Sequence, residues 1–121
     1  MLSIKEFAEE FQTPGQTAIE PQRFAAALHM QVQELATLAG VHCAVAIEVP
    51  ANAKLQNFLR GALRVLTQSY QITRDRERTL YWFRNVPIPE FGHRTAEQLV
   101  SEGKSAAVIG YLNSVEAGSS G

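Results

Sequence analysis

Leu80-Tyr81-Trp82-Phe83-Arg84-Asn85-Val86-Pro87-Ile88-Pro89-Glu90-Phe91-Gly92-His93-Arg94-Thr95-Ala96-Glu97-Gln98-Leu99-Val100-Ser101-Glu102-Gly103 is the stretch whose reading decides the fold. It reads as an aromatic helix end, a Pro/Gly connector and a capped helix start. Pro87 and Pro89 have no N–H to donate, and with Gly92 they forbid a regular helix between the two halves. Thr95 falls at an N-cap and Gln98 follows three residues later, so each side chain can satisfy a backbone N–H that the helix end leaves orphaned. Trp82 is large enough to be the expected core anchor. Gly92 turns the chain, and Arg94 is expected to brace the connector's carbonyls.

Outward from this stretch the pattern is helical throughout. Residues 3–11 place Ile4, Phe7, Ala8 and Phe11 on one side of a short amphipathic segment. Residues 12–18, with Pro14 and Gly15, read as a loop. Pro21 suits a first helical position, Ile19 and Phe24 stand at the spacing of a hydrophobic staple, and Glu20 is a mediocre cap. A further helix runs from about Gln31 to Ala39 and stops at Gly40. The apolar run Ala44-Val45-Ala46-Ile47 fits a short buried helix or a strand, and Pro50 halts it. The longest helix is expected over about Asn52–Tyr70, with Leu55, Phe58, Leu59, Ala62, Val65 and Leu66 as its apolar stripe. Thr73 or Asp75 opens the helix that ends in the aromatic run. After Gly103 a last helix near 105–116 buries Ala106, Val108, Ile109, Leu112 and Val115. No alternating strand stands out, so the fold class is all-α, with an N-terminal helical module over 1–51 and a C-terminal helical domain with a flexible tail over 52–121.

The bulk composition is that of a globular domain, with 45% hydrophobic and 19% charged residues in 121. No run has the length a membrane span needs, and the Met1-Leu2-Ser3-Ile4-Lys5-Glu6 start is no secretory signal. One cysteine, Cys43, has no internal disulfide partner, which makes a reducing cytoplasm the expected location. The net charge of −1 hides an asymmetry. Residues 1–50 carry two basic and six acidic side chains, whereas residues 51–121 carry nine and six. Most of the positive charge lies in 54–84, as Lys54, Arg60, Arg64, Arg74, Arg76, Arg78 and Arg84. A surplus of this size reads as solvated helix faces, or as a patch for phosphate or an acidic partner.

Residues 31–49 resemble the helix-turn-helix of Xre-type regulators through Gln31, Glu34-Leu35-Ala36, Leu38 and Gly40-Val41. Ala36 permits close helix approach and Gly40 a tight turn. A working motif inserts its second helix into the major groove and neutralises phosphate with nearby cations. Here that helix offers His42, Cys43, Ala44, Ile47 and Glu48, and Glu48 repels phosphate. The segment is therefore read as a degenerate motif kept for packing or dimerisation. The alternative is a DNA reader using Gln33, His42, Lys54, Arg60 and Arg64, and ordinary helical packing is a third possibility.

From about Leu63 to Gly118 the chain resembles the C-terminal toxin-binding domain of Xre/MbcA/ParS-type antitoxins. The residues that carry the likeness are Arg76 to Leu80 leading into Trp82, then Pro89, Gly92, Arg94-Thr95, Leu99, Gly103, Val108 and Leu112. His93 stands where that family tends to have a second glycine, and Ala96 where it often has proline. The resemblance implies an antitoxin that binds a RES-domain toxin, an ADP-ribosyltransferase-like enzyme acting on NAD⁺, and blocks its cleft with the C-terminal end. The residues this assigns to toxin contact are Arg94, Asn113, Glu116, Ala117, Gly118, Ser119, Ser120 and Gly121. Glu116 or the terminal carboxylate would pair with an Arg that otherwise holds the NAD⁺ pyrophosphate.

Catalytic chemistry is not legible in the chain. His42 and Cys43 are adjacent, so on a helix they point about 100° apart and do not form a dyad. His29, His42 and His93 lack metal-ligand spacing, and there is no phosphate-cradling glycine motif. The expectation is a protein that is not an enzyme and uses no cofactor or metal. Its expected partners are a RES-type toxin, a second copy of itself in a homodimer and, in the alternative of an autorepressor, promoter DNA. Tyr81, Phe83, Ile88, Phe91 and Tyr111 are candidate interface anchors or core.

Overall fold

The structure, a computed structural model, describes residues 2–119 and is all-helical among them. Eight α-helices follow one another: α1 Ile4–Glu9, α2 Pro21–Ala27, α3 Val32–Ala39, α4 Cys43–Glu48, α5 Ala53–Thr73, α6 Arg76–Asn85, α7 Ala96–Ser101 and α8 Ser105–Ser119. A 3-10 turn at Pro89–Phe91 sits in the connector. Two isolated antiparallel bridges, Gln12 with Ile19 and Ile88 with Arg94, are the strand-like pairings recorded. No helix of the described residues is long and apolar enough to cross a membrane. The chain divides into two compact units, one formed by Leu2–Arg60 and the other beginning at Gly61, so α5 contributes to both.

The first unit is organised by four phenylalanines. Phe7 and Phe11 meet edge to face at 5.5 Å, Phe11 lies 6.1 Å from Phe24, and Phe24 lies 6.1 Å from Phe58. Such pairs add a preferred geometry to the area that aromatic rings bury. Ser3 and Glu6 form a reciprocal capping box on α1. The Ser3 backbone N–H holds the Glu6 carboxyl below the usual carboxylate range, so this cap is in force at neutral pH and is lost as acid protonates Glu6. Pro21 takes the first helical position of α2, and Glu20 makes no side-chain cap. Glu20 instead accepts from Thr13 Oγ1 at 2.7 Å and Arg23 Nε at 3.1 Å, which ties the 12–18 loop to α2.

α3 ends at Gly40 in the left-handed conformation, where glycine carries no Cβ penalty. α2 ends the same way without glycine. His29 has φ +55, with His29 N–H bonded to Ala26 O and Met30 N–H to Ala25 O, the Schellman pattern. Left-handed backbone costs a Cβ-bearing residue roughly 1–2 kcal/mol, partly offset by glycine's larger unfolded-state entropy. His29→Gly is therefore expected to stabilise the protein by about 0.5–1 kcal/mol, read as a higher urea midpoint at unchanged slope.

The Ala44–Ile47 run is helix, which closes the strand option, but it is not a buried helix. Ala46 is its one buried residue, and Ile47 and Val49 are 55% and 50% exposed. Cys43 is half-buried. α5 starts at Ala53, with Asn52 Oδ1 accepting from Leu55 N–H at 3.0 Å, and continues past Tyr70 to Thr73.

In the second unit, Gly61 lets α5 pass close to α8. A Cβ there would meet Ser105 Oγ at 3.2 Å and Val100 Cγ1 at 3.4 Å. Arg74 has φ +55 and ends α5, and Asp75 caps α6 through Arg78 N–H at 3.1 Å. Thr73 Oγ1 lies 2.7 Å from Thr79 Oγ1, and Thr79 is fully buried. α6 buries Thr79, Leu80 and Phe83. That face places Trp82 about 100° to the side of Phe83, half-buried, so Phe83 and not Trp82 is the core anchor. On α8, Val108 and Leu112 are buried, Ile109 is half-buried, and Ala106 and Val115 are exposed, so the apolar face is narrower than its sequence suggests.

A candidate partner-binding cleft

The connector is built as its residues require. Ile88 is 1% exposed and plugs the core, its N–H bonded to Arg94 O at 2.9 Å and its O accepting from His93 N–H at 3.1 Å. The 3-10 turn at Pro89–Phe91 follows, and then Gly92 and His93 both adopt left-handed backbone, φ +68 and φ +64. A residue with a Cβ thus stands at the second of two left-handed positions. Thr95 and Gln98 form the expected reciprocal box, at 3.0 and 3.2 Å, and Glu97 in the same first turn is buried. Arg94 does not brace the connector's carbonyls. Its guanidinium reaches Glu102 at 3.0 Å, at the far end of α7, where Lys104 also lies 3.4 Å away.

The end of α5, α6 and α8 enclose a cleft of about 210 Å³ lined by Ser69, Ile72, Thr73, Arg78, Trp82, Tyr111, Leu112 and Val115. Two half-exposed aromatic rings, Trp82 and Tyr111, give it a mainly apolar lining. Tyr111 is also held from behind. Phe91 of the connector packs on it at 6.0 Å in a T-shaped contact, so the connector orders one wall of the cleft. Burial, and behind it the charge of Glu90, push the Tyr111 hydroxyl above its usual range, and it stays a neutral donor at physiological pH.

The residues expected to carry function fall in several places. Of the candidate anchors, Phe83 and Ile88 are core, Phe91 and Tyr111 are half-buried beside the cleft, and Tyr81 is 64% exposed. Asn113 accepts a hydrogen bond from Gln68 Nε2 at 2.8 Å, tying α8 to α5. Residues 116–119 continue α8 as helix, with Glu116 half-buried. Ser120 and Gly121 lie outside the described residues. Among the positions of the DNA alternative, Gln33, His42, Lys54, Arg60 and Arg64 are all exposed. Lys54 reaches over Gly40, its Cε and Nζ 3.2 Å from where a Cβ would stand. Arg60 Nη2 donates to Asn57 on its own helix at 3.2 Å. Arg64 belongs to the second unit, whereas Gln33, His42 and Lys54 belong to the first.

Two important side chains carry no motif. Gln56 is 4% exposed, and its amide binds both backbone groups of Ile19 and the carbonyl of Pro50. Glu97 forms an ion pair with Arg84, with Nε 3.1 Å from Oε2, in side chains 8% and 20% exposed. That Oε2 contact has the distance of a hydrogen bond but not its angle, so it acts through charge. The sequence signal for Gln56 is a polar residue on the edge of α5's apolar stripe. Glu97 has only its place in a helix's first turn.

Compared with known proteins, the chain matches no family model, no curated protein and no solved structure.

Proposed function

We propose that this chain is an antitoxin whose second unit binds a RES-type toxin and keeps NAD⁺ out of the toxin's cleft by occupying it, with no catalytic step of its own. The observation that carries this reading is the open apolar cleft with two half-exposed aromatic rings, one of them buttressed by the same connector whose Pro89, Gly92, Arg94 and Thr95 resemble the antitoxin domain. Concave sites with partly exposed aromatic anchors are where protein partners gain most of their binding energy. α8 lines the cleft through Tyr111, Leu112 and Val115 and continues beyond it to Ser119, which would bring the C-terminal end to a partner seated there.

The autorepressor alternative draws less support. α4 begins with Cys43 and Ala44, ends with Glu48, and exposes Ile47, so it offers phosphate no cation and base edges few donors.

The test is co-purification with the product of the adjacent gene and measurement of that product's NAD⁺ turnover. Stable co-elution and suppressed turnover are expected. Trp82→Ala should weaken the complex by about 2 kcal/mol, roughly thirtyfold in Kd. Deleting residues 117–121 should restore turnover. A protein that neither co-elutes nor lowers turnover overturns the reading.

A further inference from the structure

The chemistry of a partner can be read from the cleft's lining. Its volume of about 210 Å³ falls below the roughly 300–1,000 Å³ of sites that enclose a small-molecule ligand. It suits the insertion of side chains from another protein. Three helices form its walls, through Ser69, Ile72 and Thr73, through Arg78 and Trp82, and through Tyr111, Leu112 and Val115. A further helix packing its own side chains between such three- and four-residue ridges is the recognition mode that fits, since among the described residues no strand offers an edge for an added one. Thr73's hydroxyl is already engaged with Thr79 and Asp75, and Ser69 is 3% exposed. Tyr111 and Trp82 can each offer a neutral donor, and the charged contribution comes from Arg78.

Among the described residues Arg78 is the one charged residue lining the cleft; Glu90, whose charge acts on Tyr111, is not part of the lining. Its backbone N–H is used by the Asp75 cap, but its guanidinium makes no hydrogen bond or ion pair among the described residues. Arg76, two positions earlier, is by contrast paired with Glu77. A lone arginine at the side of an apolar groove fits a carboxylate bidentately. One cation is too few for a nucleic-acid track, which needs a series of phosphate contacts.

We infer that the α5–α6–α8 cleft receives an acidic amphipathic helix of the partner protein, seating apolar side chains against Trp82, Tyr111, Leu112 and Val115 and a carboxylate on Arg78. The inference rests on reading the second unit as a partner-binding module, and it adds which chemistry that module selects.

Trp82 is the chain's single tryptophan, so its emission reports on the cleft directly. The probes are two synthetic amphipathic helices with leucines at i, i+3, i+4 and i+7. One carries glutamates flanking the apolar face and the other carries lysines at the same places. The glutamate peptide is expected to shift Trp82 emission to the blue in a saturable way and to bind at least about tenfold more tightly than the lysine peptide. Arg78→Glu should reverse that preference. Arg78→Ala, a change at an exposed position that far-UV circular dichroism and a melting curve should find folded, should abolish the preference. Equal binding of both peptides, no response to either, or a preference unchanged in both variants overturns the inference. The outcomes separate from those of the antitoxin reading. Toxin inhibition that survives Arg78→Glu unaltered removes the inference and leaves the antitoxin, whereas peptide selection without toxin binding does the reverse.

Discussion

Gln56→Ala is expected to destabilise the protein by about 3 kcal/mol, a large share of the roughly 5–15 kcal/mol that holds a domain together. The Gln56 amide accepts from Ile19 N–H at 3.1 Å and donates to Ile19 O and Pro50 O, each at 2.8 Å. It does for Ile19 what a neighbouring strand would do, and it also ties the segment before α2 to the segment before α5. Ile19 is 2% exposed, so alanine at 56 would leave its two backbone groups without partners where water has little access, and would also free the carbonyl of the exposed Pro50. Urea unfolding followed by circular dichroism measures the loss. Gln56→Glu separates hydrogen bonding from packing. At neutral pH a carboxylate would face two carbonyl oxygens, so its pKa in the folded state is raised above the unfolded value of about 4.3. A group with a raised folded pKa binds its proton more tightly in the native state, so that variant should regain stability as pH falls through the raised value. A loss under about 1 kcal/mol for Gln56→Ala would mean that water replaces the amide.

Glu97→Ala is expected to cost about 3 kcal/mol, because it leaves the Arg84 guanidinium poorly solvated and without its carboxylate. The exposed pair Arg94–Glu102, with side chains 49% and 37% exposed, is the internal comparison, and breaking it should cost under about 1 kcal/mol. The two pairs differ in burial far more than in distance, at 3.1 and 3.0 Å. Replacing both members of the buried pair, as Arg84→Met with Glu97→Leu, should recover most of the loss, since what is costly is one charge stranded without its partner. A double-mutant cycle on urea midpoints measures this. Additivity of the two single changes would show that the ions do not couple.

These two features also mark where sequence reading stops. Thr95 with Gln98, Pro21 at the start of α2 and Gly40 after α3 are legible in the sequence, because a cap or a breaker acts on backbone groups within about one turn of itself. For α6 the same reasoning narrows the start to Thr73 or Asp75, of which Asp75 is the cap. Gln56 bonds to a residue 37 positions away, and nothing local to either position announces the pairing. The exchange of Trp82 for Phe83 as the core anchor has the same origin. Residue size argued for tryptophan, but the face that α6 buries is set by its neighbours, and Phe83 shares it with Thr79 and Leu80. Ile47 and Val49 show the converse, an apolar run left exposed because the short α4 buries only Ala46.

The candidate site was legible in part. Tyr111 and Phe91 stood out as aromatic residues, and the structure brings them into contact at 6.0 Å. Arg78, the residue that gives the cleft its charge, carried no signal beyond membership in a basic stretch. Its meaning depends on Trp82 and Val115 lining the same cleft, with no acid in that lining among the described residues.

By itself the sequence determined that the chain is all-helical and broken by a Pro/Gly connector, since helix starts and stops are decided by short-range hydrogen bonding and by the backbone limits of proline and glycine. The tertiary structure alone decided which helix faces are covered, which polar groups are buried with partners, and that α5, α6 and α8 leave a cleft among them. Burial is a property of residues far apart in the chain, so its energy has no signature in any one stretch of it.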